Sequence, residues 1–196
     1  METFRFDEDT HTYWLNEKVI PSITQILSPL AMANLSHIPD QDIVEAARQR
    51  GVEAHASIDR FNKGECDAYE SNYTMAWARF CESTGFKATH SEYRTYHPSI
   101  LFACTIDVLG TLPNGKQMLI DVKTGTKYKY LSLQTAGQVM ALSAHGLCDR
   151  EIPRANVHIF EKDGEWTYKI DEHNDPGDFT ALFNFIGWMR AKERYT

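Results

Sequence analysis

Asp121 and Lys123 have the residue types and the spacing for metal-dependent hydrolysis. They lie two positions apart in the run from Gln117 to Thr124, whose apolar and β-branched residues predict a β-strand. Alternate side chains of a strand project to the same face, so the carboxylate and the ammonium group should point together. The sequence therefore predicts that this pair acts as one unit.

A second carboxylate is brought to the pair by the hairpin expected before this strand. The sequence Pro113-Asn114-Gly115 suits a three-residue loop with glycine in the left-handed position. Counting back from this loop along both strands places Asp107 opposite Asp121. Two adjacent carboxylates in a mostly apolar hairpin repel each other unless a cation lies between them. Oxygen ligands of this kind suit Mg²⁺ or Mn²⁺, and Lys123 could position or help deprotonate the attacking water, or stabilise charge on the phosphorane.

The elements that would position these residues follow an alternating order of helices and strands. A small hairpin around Asn16-Glu17-Lys18 and a short helix come first, and a longer helix is expected to begin near Asp40. From there the order is α, α, β, β, β, α, β, β, α, with predicted ranges of 40–62, 72–83, 87–96, 100–112, 117–124, 131–144, 156–162 and 165–170, and a last helix from 175.

Helical spacing of apolar residues predicts which faces of the long helices are buried. The first long helix should bury one stripe, and the last helix another. The predicted stripes are Ile43, Ala47, Arg50, Ala54, Ile58 and Phe61 in the first, and Phe179, Leu182, Phe183 and Ile186 in the last.

Four segments occur in the order found in the RecB-like branch of the PD-(D/E)XK nucleases, and over most of residues 50–142 the chain resembles that family. Arg50-Gly51-Val52-Glu53-Ala54-His55 matches a helical R-G-x-x-x-H motif. Cys104-Thr105-Ile106-Asp107 matches G-x-x-D without its glycine, and Asp121-Val122-Lys123-Thr124-Gly125 matches D-x-K-T followed by glycine. The final motif, Q-x-x-x-Y, corresponds to Gln134–Gln138, where glutamine replaces tyrosine.

The resemblance implies a metal site and a fold. His55, Asp107, Asp121 and the Val122 carbonyl would bind one or two Mg²⁺ or Mn²⁺ ions, and Lys123 would be catalytic. Glu92 would support the site near the metal, and Gln134 would contact DNA or brace the site. The implied fold is α/β (α+β), a restriction-endonuclease-like core with a central mixed β-sheet flanked by helices. Residues 1–39 would form the N-terminal hairpin and short helix, 40–170 the catalytic core and 175–196 the C-terminal helix of one domain.

The segment 124–130 is the predicted substrate loop because it interleaves basic and aromatic residues, which can bind phosphates and stack on unpaired bases. Lys127, Tyr128 and Lys129 are its candidate DNA contacts, together with Arg50 of the matched helical motif. The net charge of −7 restricts any nucleic-acid contact to a local patch.

Composition limits the class of protein. At 196 residues, with 42% hydrophobic and 24% charged residues, the chain is expected to be one ordinary folded domain. Without a membrane-spanning run or a secretory pattern at its start, it is expected in the cytoplasm. Four scattered cysteines are expected to be reduced thiols, and no iron–sulfur cluster is expected.

Each candidate residue also has a structural interpretation. His55 could lie at the edge of the core, Lys123 could pair with Asp121 or Asp107, and Glu92 could be an exposed strand residue. Gln134 and Gln138, one helical turn apart, could form a solvated face. The segment 124–130 could equally be a flexible charged turn.

The expected function is metal-dependent cleavage of DNA, with action on ends favoured. The resemblance suggests a phage-type recombination exonuclease working beside a single-strand annealing protein. The alternatives are a structure-specific or RNA-directed endonuclease on the same fold and a non-catalytic DNA-binding or assembly module. Replacing Asp121 with alanine is expected to abolish cutting and to leave folding intact.

Overall fold

A computed structural model describes residues 2–35 and 41–195 of the chain. The chain begins with an antiparallel three-stranded sheet of β1 (Phe4–Asp7), β2 (Thr12–Leu15) and β3 (Lys18–Ile20). Asn16 and Glu17 connect the last two strands with φ angles of 50° and 64°, as a two-residue hairpin turn requires. The predicted hairpin is therefore present and carries a third strand on its N-terminal side.

The remaining elements follow the predicted order. They are α1 (Ile23–Ile26), α2 (Ser28–Leu35), α3 (Gln41–Asn62), α4 (Asn72–Thr84), β4 (Lys87–His97), β5 (Phe102–Thr111), β6 (Gln117–Lys123), α5 (Leu131–Ala144), β7 (Arg154–Lys162), β8 (Glu165–Glu172) and α6 (Gly177–Tyr195). The predicted helix start at Asp40 lies outside the described residues.

A five-stranded mixed sheet, in the order β4-β5-β6-β7-β8, forms the centre of the fold. All neighbours pair antiparallel except β6 and β7, which are parallel and are connected through α5. The loop between β5 and β6 is the predicted one, since Leu112 and Lys116 are hydrogen-bonded across it and Gly115 has a φ of 78°. The paired residues Val108 and Ile120 have the register predicted from that loop.

Helices cover both faces of this sheet, as its buried strands require. On one face α1, α5 and α6 contribute Ile23, Leu142 and Leu182 to a core with β5 and β6. On the other face α3 and α4 contribute Ile58 and Trp77 to a core that includes β7. The architecture is thus a central mixed sheet with flanking helices, as expected.

Both predicted buried stripes are partly wrong. Ile43 is 55% exposed, and Ala47 and Arg50 are also exposed, so α3 packs against the core only from Ala54 onward. In α6, Leu182 and Ile186 are buried, while Phe183, at the margin of that face, is 58% exposed. Helical spacing located the stripes, but it could not show how far along each helix the core extends. Among the described residues, no helix is both long enough and apolar enough to cross a membrane.

Candidate metal and catalytic site

One group of side chains in the described part of the chain could hold a metal ion, and it is formed by His55, Glu92 and Asp107. We call it the acidic cluster. Its three potential ligand atoms, one from each of α3, β4 and β5, lie within 4.8 Å of one another. His55 Nδ1 is 3.3 Å from Glu92 Oε1 and 3.5 Å from Asp107 Oδ2. Two carboxylates and one imidazole therefore converge at a point where three elements meet.

Asp107 lies just beyond the last paired residues of β5 and β6. The ladder between these strands ends at Val108 and Ile120. One step further, Asp107 Oδ2 accepts a hydrogen bond of 2.7 Å from the backbone N–H of Val122. The side chain thus occupies the opening between the two strands, beside Asp121 but outside the regular ladder. Its 8% exposure leaves the carboxylate almost fully removed from water.

Glu92 reaches the acidic cluster through an unusual backbone conformation. Its φ of 47° is in the left-handed region, although glutamate has a Cβ atom and the residue lies inside β4. Such a conformation costs about 1–3 kcal/mol and persists where the surrounding structure imposes it. The structure therefore places Glu92 in the site. The sequence had left open the alternative that Glu92 is an ordinary exposed residue of a strand.

Asp121 has a completely different environment, which we call the Asp121 cradle and define as Asp121, Gln134, Gln138 and Asn156. The Asp121 side chain is fully buried. Its Oδ1 accepts hydrogen bonds from Gln134 Nε2 at 2.7 Å and Gln138 Nε2 at 3.1 Å. Its Oδ2 accepts from Asn156 Nδ2 and contacts Lys123 Nζ, both at 2.6 Å. Each carboxylate oxygen therefore has two donors.

The cradle corrects two expectations from the sequence. Gln134 and Gln138 do not form a solvated face, because their side chains are 8% and 1% exposed and both bind Asp121. Of the two roles implied for Gln134, bracing the site is the one that its contact fits. Asp121→Ala would leave several buried donors without an acceptor, so intact folding of that variant is no longer expected.

The charges of the site perturb each other strongly. Burial raises the pKa of Asp107, with the nearby Asp121 carboxylate adding to the effect and His55 opposing it. The Asp107 carboxylate raises the pKa of His55 to about 9, although burial acts in the opposite direction. Burial lowers the pKa of Lys123, but the carboxylates of Asp121 and Asp107 outweigh it and leave the pKa raised. Lys123 is therefore a cation at neutral pH.

A cavity of about 870 Å³ opens beside the acidic cluster, with His55 and Glu92 on its wall. Three basic residues also line it, each paired with an acidic neighbour. These pairs are Arg48 with Glu45, Lys63 with Asp59, and Arg94 with Glu8 of the N-terminal sheet. A phosphate entering the cavity would compete with those carboxylates for the basic groups.

Arg50 does not line this cavity, although it belongs to the matched helical motif. Five residues separate it from His55, which corresponds to about 140° around a helix. Arg48, at seven residues from His55, lies on the same side of α3 as the histidine and takes part in the wall. The structure therefore does not place Arg50 on the wall of the cavity beside the acidic cluster.

The predicted substrate loop, residues 124–130, follows Lys123 directly and ends at α5. Lys127 forms an ion pair with Asp171 of β8, so it is anchored to the sheet. The rings of Tyr128 and Tyr130 are stacked with centroids 5.8 Å apart, and Lys129 is exposed. The loop thus contains an ion-paired lysine, an exposed lysine and a pair of stacked tyrosines. It directly follows Lys123, the candidate catalytic residue.

Asn156 and His173 are two residues of the site that the sequence analysis missed. Asn156 pairs with Asp121 across the parallel strands β6 and β7, and His173 follows β8. A buried polar residue needs a hydrogen-bond partner, so asparagine in the apolar run Ala155–Phe160 was a usable indication. No comparable pattern marked His173.

No protein-family model matches the chain, and no curated protein matches it either. A proposal about function therefore has to rest on the residues of the site and their geometry.

Proposed function

We propose that this protein is a divalent-metal-dependent nuclease that hydrolyses DNA phosphodiester bonds, in the manner of the PD-(D/E)XK family that its motifs resemble. The observation that carries the proposal is the acidic cluster, in which His55, Glu92 and Asp107 converge within 4.8 Å. The Asp121–Lys123 ion pair lies beside it on the neighbouring strand. A triad that could bind a divalent cation, beside a partly buried lysine, supplies groups that metal-assisted hydrolysis of a phosphodiester uses.

The donor set of the acidic cluster fits a hard divalent cation. The two carboxylates suit Mn²⁺ or Mg²⁺, and burial raises the pKa of Asp107, as expected for a carboxylate whose charge is only partly balanced. His55 would bind through its neutral imidazole, so a bound cation would displace the proton that the raised pKa of His55 retains at neutral pH. Asp121 and the Val122 carbonyl are proposed as further ligands, and one or two ions would be bound.

Lys123 is proposed to stabilise the negative charge that develops on the phosphoryl oxygens. Its raised pKa makes the ammonium group a donor, so it is poorly suited to accept a proton from water. A bound cation would supply Lewis acidity and lower the pKa of a coordinated water. Lys123 would have to exchange its contact with Asp121 for one with the phosphate, while Gln134 and Gln138 keep the carboxylate in place.

DNA is the proposed substrate, and the loop 124–130 is its proposed contact surface. Lys129 would bind a phosphate, and the stacked rings of Tyr128 and Tyr130 would support an unpaired base at a frayed end. The family resemblance favours digestion from DNA ends in recombination or DNA processing in the cytoplasm, beside a single-strand annealing protein.

Digestion of labelled DNA tests the proposal. Linear end-labelled DNA, closed circular DNA and RNA are each incubated with wild-type protein and Mg²⁺, Mn²⁺ or EDTA. Lys123→Ala is compared with Lys116→Ala, an exposed lysine of the β5–β6 loop that serves as the matched control.

We expect metal-dependent loss of linear DNA, little loss of circular DNA and no reaction in EDTA. Lys123→Ala should be slower by about 100- to 1000-fold, and Lys116→Ala should match wild type. Cleavage of circular DNA or RNA would replace end-directed DNA digestion with an endonuclease or ribonuclease activity. Failure to cut any substrate with either metal, or full activity of Lys123→Ala, would overturn the proposed mechanism.

A further inference from the structure

We infer that Asn156 and His173 are positioning residues that hold the Asp121 carboxylate ready to bind a cation after Lys123 has left it. The inference rests on the proposed function, because it concerns the metal ligation assigned to Asp121. It adds two residues that act through Asp121 and contact neither metal nor DNA.

The amide nitrogen of Asn156 is directed to Asp121. Its Nδ2 donates to Asp121 Oδ2 at 2.6 Å and lies 3.3 Å from the backbone carbonyl oxygen of the same residue. The Asn156 side chain is fully buried, and the two residues are direct partners across β6 and β7. One amide group thus contacts both the side chain and the backbone of Asp121.

His173 determines which way the Asn156 amide faces. Its Nε2 is 2.5 Å from Asn156 Oδ1, and this oxygen can only accept a hydrogen bond, so Nε2 carries the proton. The histidine backbone is fixed in turn, because its N–H donates to the Arg154 carbonyl oxygen at 2.9 Å. With Oδ1 committed to His173, the Asn156 Nδ2 group must face Asp121.

The Asn156 hydrogen bond would orient Asp121 Oδ2 after Lys123 has left it. Lys123 and Asn156 are the two donors to Asp121 Oδ2. If Lys123 turned toward a phosphate and no other donor remained, Oδ2 would lose the contact that orients it. Asn156 remains in place, and Gln134 and Gln138 continue to hold Oδ1. The carboxylate would therefore keep its orientation at the moment when a cation needs it.

A sheet without a buried carboxylate at position 121 would not require these groups. A buried amide in the middle of a sheet costs free energy unless each polar atom is paired, and an aliphatic side chain would fill the space at lower cost. Asn156 and His173 instead form a chain of hydrogen bonds that runs from His173 through Asn156 to Asp121. Partners of this kind commonly change metal affinity by about 10- to 100-fold when they are removed.

Calorimetric titration with Mn²⁺, in the absence of DNA, tests the inference. The variants are Asn156→Ala, His173→Leu and His173→Gln, and the last of these retains an N–H donor near Asn156 Oδ1. Asn174→Ala is the matched control, since this exposed neighbour of His173 bonds only Glu172 among the contacts of its side chain. Each variant is also assayed for kcat and KM on linear DNA across Mn²⁺ concentrations, and thermal unfolding is recorded.

We expect Asn156→Ala and His173→Leu to weaken Mn²⁺ binding by about tenfold or more, while His173→Gln and Asn174→Ala bind like wild type. The kcat should fall at low Mn²⁺ and recover at high Mn²⁺, with the KM for DNA unchanged. A merely structural role would not be rescued by the metal or by glutamine at position 173.

The outcomes separate this inference from the proposed function. If wild type binds no Mn²⁺ and does not cut, the proposed function fails, and the positioning role fails with it. If wild type binds and cuts while Asn156→Ala and His173→Leu bind Mn²⁺ as tightly, only the positioning role is overturned. Should Asn156→Ala not fold, the comparison of His173→Leu with His173→Gln decides, and equal affinities would contradict the inference.

Discussion

The acidic cluster and the Asp121 cradle are neighbours, yet their carboxylates are treated in opposite ways. In the cradle, each oxygen of Asp121 has two donors, at 2.6 to 3.1 Å. In the cluster, Asp107 has one close donor, the Val122 N–H at 2.7 Å, and His55 Nδ1 is shared by Glu92 and Asp107 at the longer distances of 3.3 and 3.5 Å. The Asp121 carboxylate is fully hydrogen-bonded within the protein, whereas the charges of Glu92 and Asp107 are only partly balanced.

The two environments indicate which part of the site is rigid and which part would gain from a bound ligand. Donors that are already in place cost no reorganisation, so the cradle can hold Asp121 in one orientation. Carboxylates that are close together and poorly compensated gain most from an added cation. The stability of the protein should therefore respond to metal through the cluster and to mutation mainly through the cradle.

The largest expected effect is a contrast between Asp121→Ala and Asp107→Asn. Both variants should lose nuclease activity by at least about 1000-fold, because each removes a proposed metal ligand. Asp121→Ala should also lose about 3 kcal/mol of stability, since it leaves Lys123 and three buried amides without their acceptor. Asp107→Asn should stay within about 1 kcal/mol of metal-free wild type, because the amide keeps an oxygen for the Val122 N–H.

Urea unfolding in EDTA measures both variants against wild type. Equal losses of stability in the two variants would break the distinction between cradle and cluster.

The next effect concerns pH and belongs to the cluster. The folded-state pKa of His55 is raised from 6.5 to about 9, so its contribution to stability is complete below about pH 6 and is lost as the pH rises through 9. The pKa of Asp107 is also raised, so ionisation of this group disfavours the folded state as the pH rises above the usual carboxyl range. The metal-free protein should therefore lose stability as the pH rises, through ionisation of Asp107 from the usual carboxyl range to neutral pH and through deprotonation of His55 up to about pH 9.

Unfolding curves from pH 5 to pH 9.5 in EDTA test this prediction, with Asp107→Asn for comparison. Asp107→Asn should show a much flatter dependence of stability on pH. It removes the Asp107 carboxyl group, and with it the main cause of the raised pKa of His55. Mn²⁺ should restore stability to wild type at pH 8. A steep alkaline loss that persists in Asp107→Asn would assign the effect to groups outside the cluster.

A smaller effect is expected from the backbone of Glu92. Glu92→Gly and Glu92→Ala both delete the carboxylate, but glycine relieves the positive φ and alanine does not. Glu92→Gly should therefore be more stable than Glu92→Ala by about 1 kcal/mol, while both lose Mn²⁺ affinity. Chemical unfolding of the two variants in parallel provides the comparison, and a more stable alanine variant would show that the backbone there is not strained.

The smallest effect lies in the loop beside the site. Lys129 is exposed, and its replacement by alanine should lower the slope of log affinity against log salt by about one in EDTA, where DNA is bound but not cut. Lys116→Ala, in the β5–β6 loop, should leave the slope unchanged. Fluorescence anisotropy with labelled DNA measures both, and equal slopes would remove the loop from the DNA contact surface.

Local sequence patterns were sufficient for the hairpin that contains Asp107 and Asp121. The glycine of its loop fixed the register, and the alternation of side chains placed Asp121 and Lys123 together. The helix α5 was also predicted with its observed bounds, Leu131–Ala144, because a glycine follows its C-terminal end.

The remaining parts of the site depend on contacts that short patterns do not encode. Asn156 meets Asp121 across a parallel pair of strands whose connection includes the whole of α5. The left-handed backbone of Glu92 is imposed by its surroundings and has no sequence pattern. Gln134 and Gln138 could not be assigned to a buried face, since α5 is buried on nearly all sides and shows little contrast between its faces.

The acidic cluster is proposed to bind a divalent cation, and anomalous diffraction from crystals soaked in Mn²⁺ tests this directly. We expect a peak at about 2.0–2.3 Å from His55 Nδ1 and from oxygens of Glu92 and Asp107, with no such peak in Asp107→Asn crystals. An ion found elsewhere, or a wild-type cluster that stays free of Mn²⁺ at millimolar concentration, would contradict the claim.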